Sequence, residues 1–509
     1  MHFAEGRSSK GAVIRLDQET DLETLRQAAV LLERENKRLV QMVLELRKKL
    51  LRLQGADAQQ LQMQIDELER QLAARNRALF GDKSEKRPSG EKKEPAPKEP
   101  QKGHGPRPQP QLAMLAVLHE MDAADRVCKS CGGHLEPWDG QFEESEEIDV
   151  IERQFVIKKH RRQKYRCTCG ACIETAPGPL KLFDGARYSM DFAVDVAVQK
   201  YLDHLPLERQ VRIMRREGLE VDSQTLWDQI ERLARPLRGV SARIRQYILS
   251  HDVVFADETP WRLMRPKRGP PIENKKWWVW SVAVPDAVYY RMLDTRSAAG
   301  AAALLEGYAG RVMCDGLSSY TALTKERPDL VLAHCWAHCR RRILEIQESF
   351  PEPAKQGLDL IGELYAIEAL CPAGRDGDEM RRRLRAERSR PVVDRLRHWA
   401  TTTEATPESG LAKAIDYMAG MWTGLTRFLD DPHVGLDNNV VERALRDPVL
   451  GRKNFYGSKS KRGLEVAGLF YTLLHSAKFA GVEPKEYLRQ AIRAALHDQP
   501  VPLPHEIIR

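Results

Sequence analysis

Residues 251–260 read HDVVFADETP. The run VVFA has the length and β-branched content of a short buried strand, and it delivers Asp257 at its end. Two more strands follow closely, KWWVWSVAV (276–284) and AVYYRML (287–293), near enough to form a meander. SAAGAAALLEGY then reads as a helix. RVMCDGLSSY gives a fourth strand with Asp315 at its C-terminal end, and VLAHCWAH gives a fifth that runs into the basic helix CRRRILEI.

Three consecutive strands, then helix, strand, helix and strand, is the order of an RNase H-like α/β core, and it sets the first and fourth strands side by side. Asp257 and Asp315 would then be neighbours. Adjacent carboxylates are costly unless cations bridge them, and Mg²⁺ suits an all-oxygen site with open positions. A third carboxylate would complete a two-ion site for in-line phosphoryl displacement. Glu442, in LDNNVVERALRDPVLGRKNF, is the candidate. Asp437 or Asn438 can cap a helix there, which puts Glu442 in its second turn and Arg446 one turn further on. Arg452, Lys453, Lys459, Lys461 and Arg462 follow as a basic cluster suited to a DNA backbone.

Working outward, the chain of 509 residues is too long for one core. It is multidomain α+β by this reading. Leu25, Leu32, Leu39, Leu46 and Leu53 fall seven apart with Asn36 on the same seam, which predicts a dimerising coiled coil over 17–80. Residues 82–110 are rich in Pro, Lys and Glu and read as a disordered linker. Cys128 and Cys131 form a CxxCG turn, and CTCGAC follows at 167–172. Two cysteine turns joined by a strand pair (EEIDVIERQFVIKKHRRQKYR) predict a zinc ribbon over 120–178, with structural Zn²⁺ on Cys128, Cys131, Cys169 and Cys172. Cys167 is the alternative to Cys169. Over 188–240, three helical segments around Gly218 and Ser223 predict a helix-turn-helix, with Arg209, Arg212, Arg215 and Arg216 as its DNA contacts. The catalytic core spans 250–460, with a helical insertion at about 345–430. Residues 461–509 form a C-terminal helical region. Within the insertion, RRRLRAERSR (381–390) reads as charge that binds DNA or solvates a helix. His334, Cys335 and His338, with CxxH spacing, invite a second zinc reading, but only one half of a site is visible; a structural or DNA-contacting role for Trp336 and His338 is the preferred reading.

The net charge of +8 suits a polyanionic partner. No run of 18 apolar residues exists and the N-terminus MHFAEGRSSK lacks the apolar stretch of a signal peptide, so the expected location is the cytoplasm, on the nucleoid.

At these residues the sequence resembles transposases of the insertion sequence 66 family. The likeness runs through the zipper, Arg77 to Lys86 (RALFGDKSEK), the CxxCGG turn, KYLDHLPLERQ (200–210), FADETP (255–260), Cys314 to Gly316, HCWAHCRRR (334–342) and DNNVVERALR (437–446). The resemblance implies a DDE triad of Asp257, Asp315 and Glu442, two Mg²⁺ ions, double-stranded DNA at element ends and target, a homodimer or larger assembly on DNA, and accessory proteins of the same element. It implies Mg²⁺-dependent cleavage at terminal inverted repeats followed by strand transfer. One departure is CTCGAC, where family members show CxxC directly after the strand. A DNA-binding regulator with an inactive core and an RNase H-like hydrolase without strand transfer are the competing readings.

Overall fold

The computed structural model of the chain describes residues 114, 118–122, 125–137, 145, 148, 153–166, 172–264, 276–372 and 374–507. The expected zipper, with Leu25, Leu32, Asn36, Leu39, Leu46 and Leu53, lies outside the described residues. So do the linker and the pair Cys167 and Cys169. Two compact units are distinguished, one containing 71–153 and the other 154–509.

In the first unit, Val127 and His134 form an isolated antiparallel bridge around the CxxCGG turn. Cys128 N–H donates to Gly133 O at 2.8 Å and Gly132 N–H to Cys128 O at 2.9 Å. Gly132 sits at φ +75°, where a side chain would be strained.

The second unit opens with a short antiparallel pair, β1 (Lys164–Arg166) and β2 (Ile173–Thr175), in register Tyr165 to Glu174. The longer strand pair expected upstream is not formed over residues 153–163. Val156 and Ile157 are exposed there, so an alternating strand would have no core to bury its apolar face against.

Three helices follow: α1 (Met190–Tyr201), α2 (Leu207–Arg216) and α3 (Ser223–Leu249). Ser189 caps α1 and Asp222 caps α3, each accepting a backbone N–H of the first turn. Gly218, at φ +84°, makes the turn between α2 and α3. The sequence pattern ends the third helix near Leu237, but α3 continues through Pro236 to Leu249. Leu237, Val240, Ile244 and Ile248 extend its buried stripe, and that packing outweighs the hydrogen bond Pro236 cannot make.

The central sheet holds β3 (Val253–Arg262), β4 (Lys276–Val284), β5 (Ala287–Leu293), β6 (Gly310–Cys314) and β7 (Leu330–His334), in the order β5-β4-β3-β6-β7. β5, β4 and β3 are antiparallel neighbours, and β3, β6 and β7 are parallel. Helix α4 (Ala298–Leu304) connects β5 to β6 and α5 (Ser318–Glu326) connects β6 to β7. One correction concerns β3. It does not stop at Asp257 but runs on to Arg262, because β4 pairs with it along that whole length.

After β7 come α6 (Trp336–Glu345), α7 (Pro351–Glu368), α8 (Asp378–Leu384), a π-helical turn at Arg385–Ser389, α9 (Arg390–Thr402), α10 (Gly410–Gly420) and α11 (Trp422–Leu425). The chain then returns as α12 (Asn439–Phe455), α13 (Lys461–Phe479) and α14 (Pro484–Leu496).

The sheet separates two cores. Val254, Val312 and Trp280 face a core shared with α1–α3 and α12–α14. Val253, Met313 and Ala333 face a second core built by α6–α11. The edge at β5 is closed by α13. Ser476 Oγ accepts from Val288 N–H at 3.1 Å and Thr472 Oγ1 from Tyr290 N–H at 3.0 Å, so backbone groups that would recruit another strand are satisfied.

Candidate active site

The register of the parallel pair positions the two aspartates. Phe255 is opposite Met313, and the β3–β6 pairing ends there. Two residues further along each chain come Asp257 and Asp315, on the same face as Phe255 and Met313, where the strands have begun to part. Gly316 follows at φ +83°, and a Cβ there would run into Met421. The turn is further fixed by Asp315, whose Oδ1 accepts Leu317 N–H at 3.0 Å and whose carbonyl accepts the Tyr417 hydroxyl at 2.7 Å.

One carboxylate oxygen from each of Asp257, Glu258 and Asp315 lies within 4.8 Å of the others. Burial, then the charges of Asp315 and Glu258, push the Asp257 carboxyl up to about 8. Glu258 is pushed up to about 7, first by burial and then by Asp315, despite the Arg296 guanidinium at 2.8 Å. Three crowded carboxyls with one cationic partner form a hard, oxygen-only donor set. They fit a divalent cation.

Glu442 is placed by a long-range staple. Asn438 is fully buried at the N-cap of α12, but its side chain does not cap the helix. Its Nδ2 donates to Ala256 O at 3.0 Å, and its backbone N–H donates to Cys335 Sγ at 3.2 Å. Trp336 N–H donates to Leu436 O at 2.8 Å. The start of α12 is thus tied to the middle of β3 and to the residues that follow β7. Glu442 falls in the first turn, one turn earlier than the sequence suggests. It sits with Cys335 and His338 as a second cluster, its Oε1 3.6 Å from His338 Nδ1 and its Oε2 3.4 Å from Arg341. It is outside the tight group of Asp257, Glu258 and Asp315, though Asp257 senses its charge. Burial pushes the Cys335 thiol up to about 11. His334, by contrast, faces Cys314, at 3.7 Å.

Sequence reasoning missed Glu258. It follows Asp257 directly, and strand alternation assigns it to the opposite face. The FADETP stretch did contain it, and the available signal was a second acidic residue directly beside Asp257.

The model described as "Transposase IS66 family" matches residues 185–466, and the model described as the zinc-finger binding domain of transposase IS66 matches 125–170. The chain belongs to the insertion sequence 66 family of transposases. Two curated relatives of this IS66-family chain come from Sinorhizobium fredii. Uncharacterized protein y4jD is 31% identical over 73% of this chain and 75% of the relative, and uncharacterized protein y4qI is 30% identical over 76% and 74%. Among solved structures, the Mos1 transposase paired-end complex with left transposon end aligns with 49% of this chain and 80% of that one. The identity is 14% and the TM-score 0.12.

The zinc-finger match includes Cys128, Cys131, Cys167 and Cys169 and ends before Cys172. Cys128 and Cys131 share the turn of the first unit. Backbone N–H groups of Ser130 and Cys131 hold the Cys128 thiol below its ordinary value, which favours the thiolate a metal needs. Cys172, in the second unit, has its Sγ 3.6 Å from Glu174 Oε1.

The basic residues divide into two kinds. Arg209, Arg212, Arg215 and Arg216 line the exposed face of α2, with Arg215 3.2 Å from Glu220. Arg446, Lys453, Lys459 and Lys461 are exposed. Arg452 and Arg462 are internal ties instead. Arg452 donates to Pro260 O, and Arg462 binds Glu231 at 3.1 Å and Glu465 at 3.0 Å. The RRRLRAERSR run is also partly structural. Arg385 is fully buried, pairs with Glu368 at 2.7 Å, and donates to the carbonyls of Phe428 and Asp431. No helix among the described residues is long and apolar enough to cross a membrane.

Proposed function

We propose that the chain is a DDE transposase that binds the terminal inverted repeats of its element and carries out Mg²⁺-dependent cleavage and strand transfer. The observation that carries this reading is the approach of the Asp257 and Asp315 carboxylates just beyond the point where the parallel pairing of β3 and β6 stops, in a chain of this family. Asp257 and Asp315 hold one face of the cation site. Glu442 approaches from the first turn of α12 and completes it. Bound Mg²⁺ would activate the attacking oxygen and neutralise charge on the scissile phosphate. His338 and Arg341 orient the Glu442 carboxylate. The exposed arginines of α2, with Arg446, Lys453, Lys459 and Lys461, contact phosphates along double-stranded DNA. Water attack frees 3′-hydroxyls at the element ends, and those hydroxyls then attack target DNA. Structural zinc is assigned to Cys128, Cys131, Cys169 and Cys172, with Cys167 as the alternative to Cys169. A dimer or larger assembly bridges the two ends.

The test is an end-labelled oligonucleotide bearing the element end, incubated in Mg²⁺ with wild type or Asp257→Asn and with any accessory proteins of the element. Nicked and joined products from the wild type alone support the reading. Cutting without joining points to a hydrolase, and binding without cutting to a regulator.

A further inference from the structure

Glu258 poses a specific problem. Consecutive strand residues point to opposite faces, so Glu258 belongs to the face of Val254 and Trp280, away from Asp257. Its carboxylate nevertheless comes within 4.8 Å of those of Asp257 and Asp315. The edge of β3 toward β6 is open beyond Phe255, so side chains from either face can meet across it.

The Glu258 side chain is fully shielded from solvent (0% exposed). Arg296 directs both Nε and Nη2 at one oxygen, Oε1, at 2.8 Å. The other oxygen, Oε2, is buried without a hydrogen bond. The Tyr320 hydroxyl is near enough to favour the ionised Glu258 carboxylate, but it forms no hydrogen bond of normal geometry with Oε2. A buried carboxylate oxygen left bare is expensive, and a glutamate serving only to pair with Arg296 would present both oxygens to the guanidinium fork. Charge balance points the same way. Once ionised around a bound cation, Asp257, Glu258 and Asp315 would carry three negative charges against the single positive charge of Arg296, and the two left over match one divalent cation.

We propose that Glu258 is a fourth carboxylate ligand of the active site. It shares with Asp257 and Asp315 a cation held wholly by β3 and the turn that follows β6, while Arg296 anchors its other oxygen. This rests on the metal-dependent reading above. The first cation would therefore be bound before Glu442 is engaged.

The experiment is Mn²⁺ binding to the full-length chain, read from loss of the free-ion electron paramagnetic resonance signal. Wild type is compared with Asp257→Asn, Glu258→Gln and Arg296→Gln. Gln keeps the shape and can still accept from Arg296. Glu258→Gln is expected to weaken Mn²⁺ binding by about ten- to hundredfold, as losing a partner of a metal site does. Arg296→Gln, which frees the carboxylate, should bind at least as tightly as wild type. A structural ion pair would make the two variants behave alike. Near-wild-type binding by Glu258→Gln, with loss in Asp257→Asn, overturns the proposal and leaves the site intact. Equal Mn²⁺ binding by wild type and Asp257→Asn overturns the site and the proposal together. Should Glu258→Gln fail to melt cooperatively, Glu258→Asp keeps the charge but shortens the reach. Weakened binding by it supports the assignment and unchanged binding defeats it.

Discussion

Asp257 keeps its proton up to about pH 8 because it is buried beside two other carboxyls. An unfolded chain releases that proton near the ordinary aspartate value. The native state therefore binds the extra proton in between, and the stability this contributes is full below about pH 4 and lost as pH rises through 8. Without divalent cations, the melting temperature should fall between pH 6 and pH 9. Asp257→Asn should flatten that decline and melt higher than wild type at pH 9, while abolishing strand cleavage. A scanning melt series in a chelating buffer checks it, and an unchanged pH slope in the variant would count against the burial argument. Residue identities at the site were readable only in part. Asp257 and Asp315 could be found because each ends an apolar run. Glu258 could not, because period-2 alternation directs it away from its neighbour, and only the opening of β3 beyond Phe255 brings it back. Arg385 was hidden for another reason. A run of arginines looks solvated unless the acidic and carbonyl partners, distant in sequence, are known.

Among the elements, β4 and β5 have the limits their apolar runs suggest, since each run is bounded by polar or turn residues. The start of α12 was less legible. Asn438 looks like a simple cap, yet its side chain reaches Ala256, 182 positions away. Replacing it with Ala leaves Ala256 O without this donor and a void at the junction of β3, β7 and α12. The expected cost is about 1–3 kcal/mol of stability. Glu442 would lose its fixed approach, so cleavage should fall by more than the loss of folded protein explains. Denaturant melts alongside single-turnover cleavage separate the two effects. Activity that tracks only the folded fraction would show that Asn438 does not position Glu442.

For the molecule as a whole, the strand order followed from the succession of elements, but the sharing of cores did not. The sequence reads α1–α3 and the segment after 461 as separate regions. In the structure they pack into one core with the sheet, because the α3 stripe and the nearly all-buried α13 have no other apolar surface to cover. A chain ended after residue 460 should therefore lack cooperative thermal unfolding and bind hydrophobic dye. Melting like that of the full chain would contradict the shared core. The late arrival of α12 and α13 also has a consequence during synthesis. At roughly 5–20 residues per second, about ten to forty seconds pass between the ribosome's making of Ala256 and of Asn438. Throughout that interval β5 has an uncovered edge and Glu442 is missing from the carboxylate cluster. A nascent chain is thus sticky but chemically silent, and the cutting centre is assembled only after the fold that restrains it has closed.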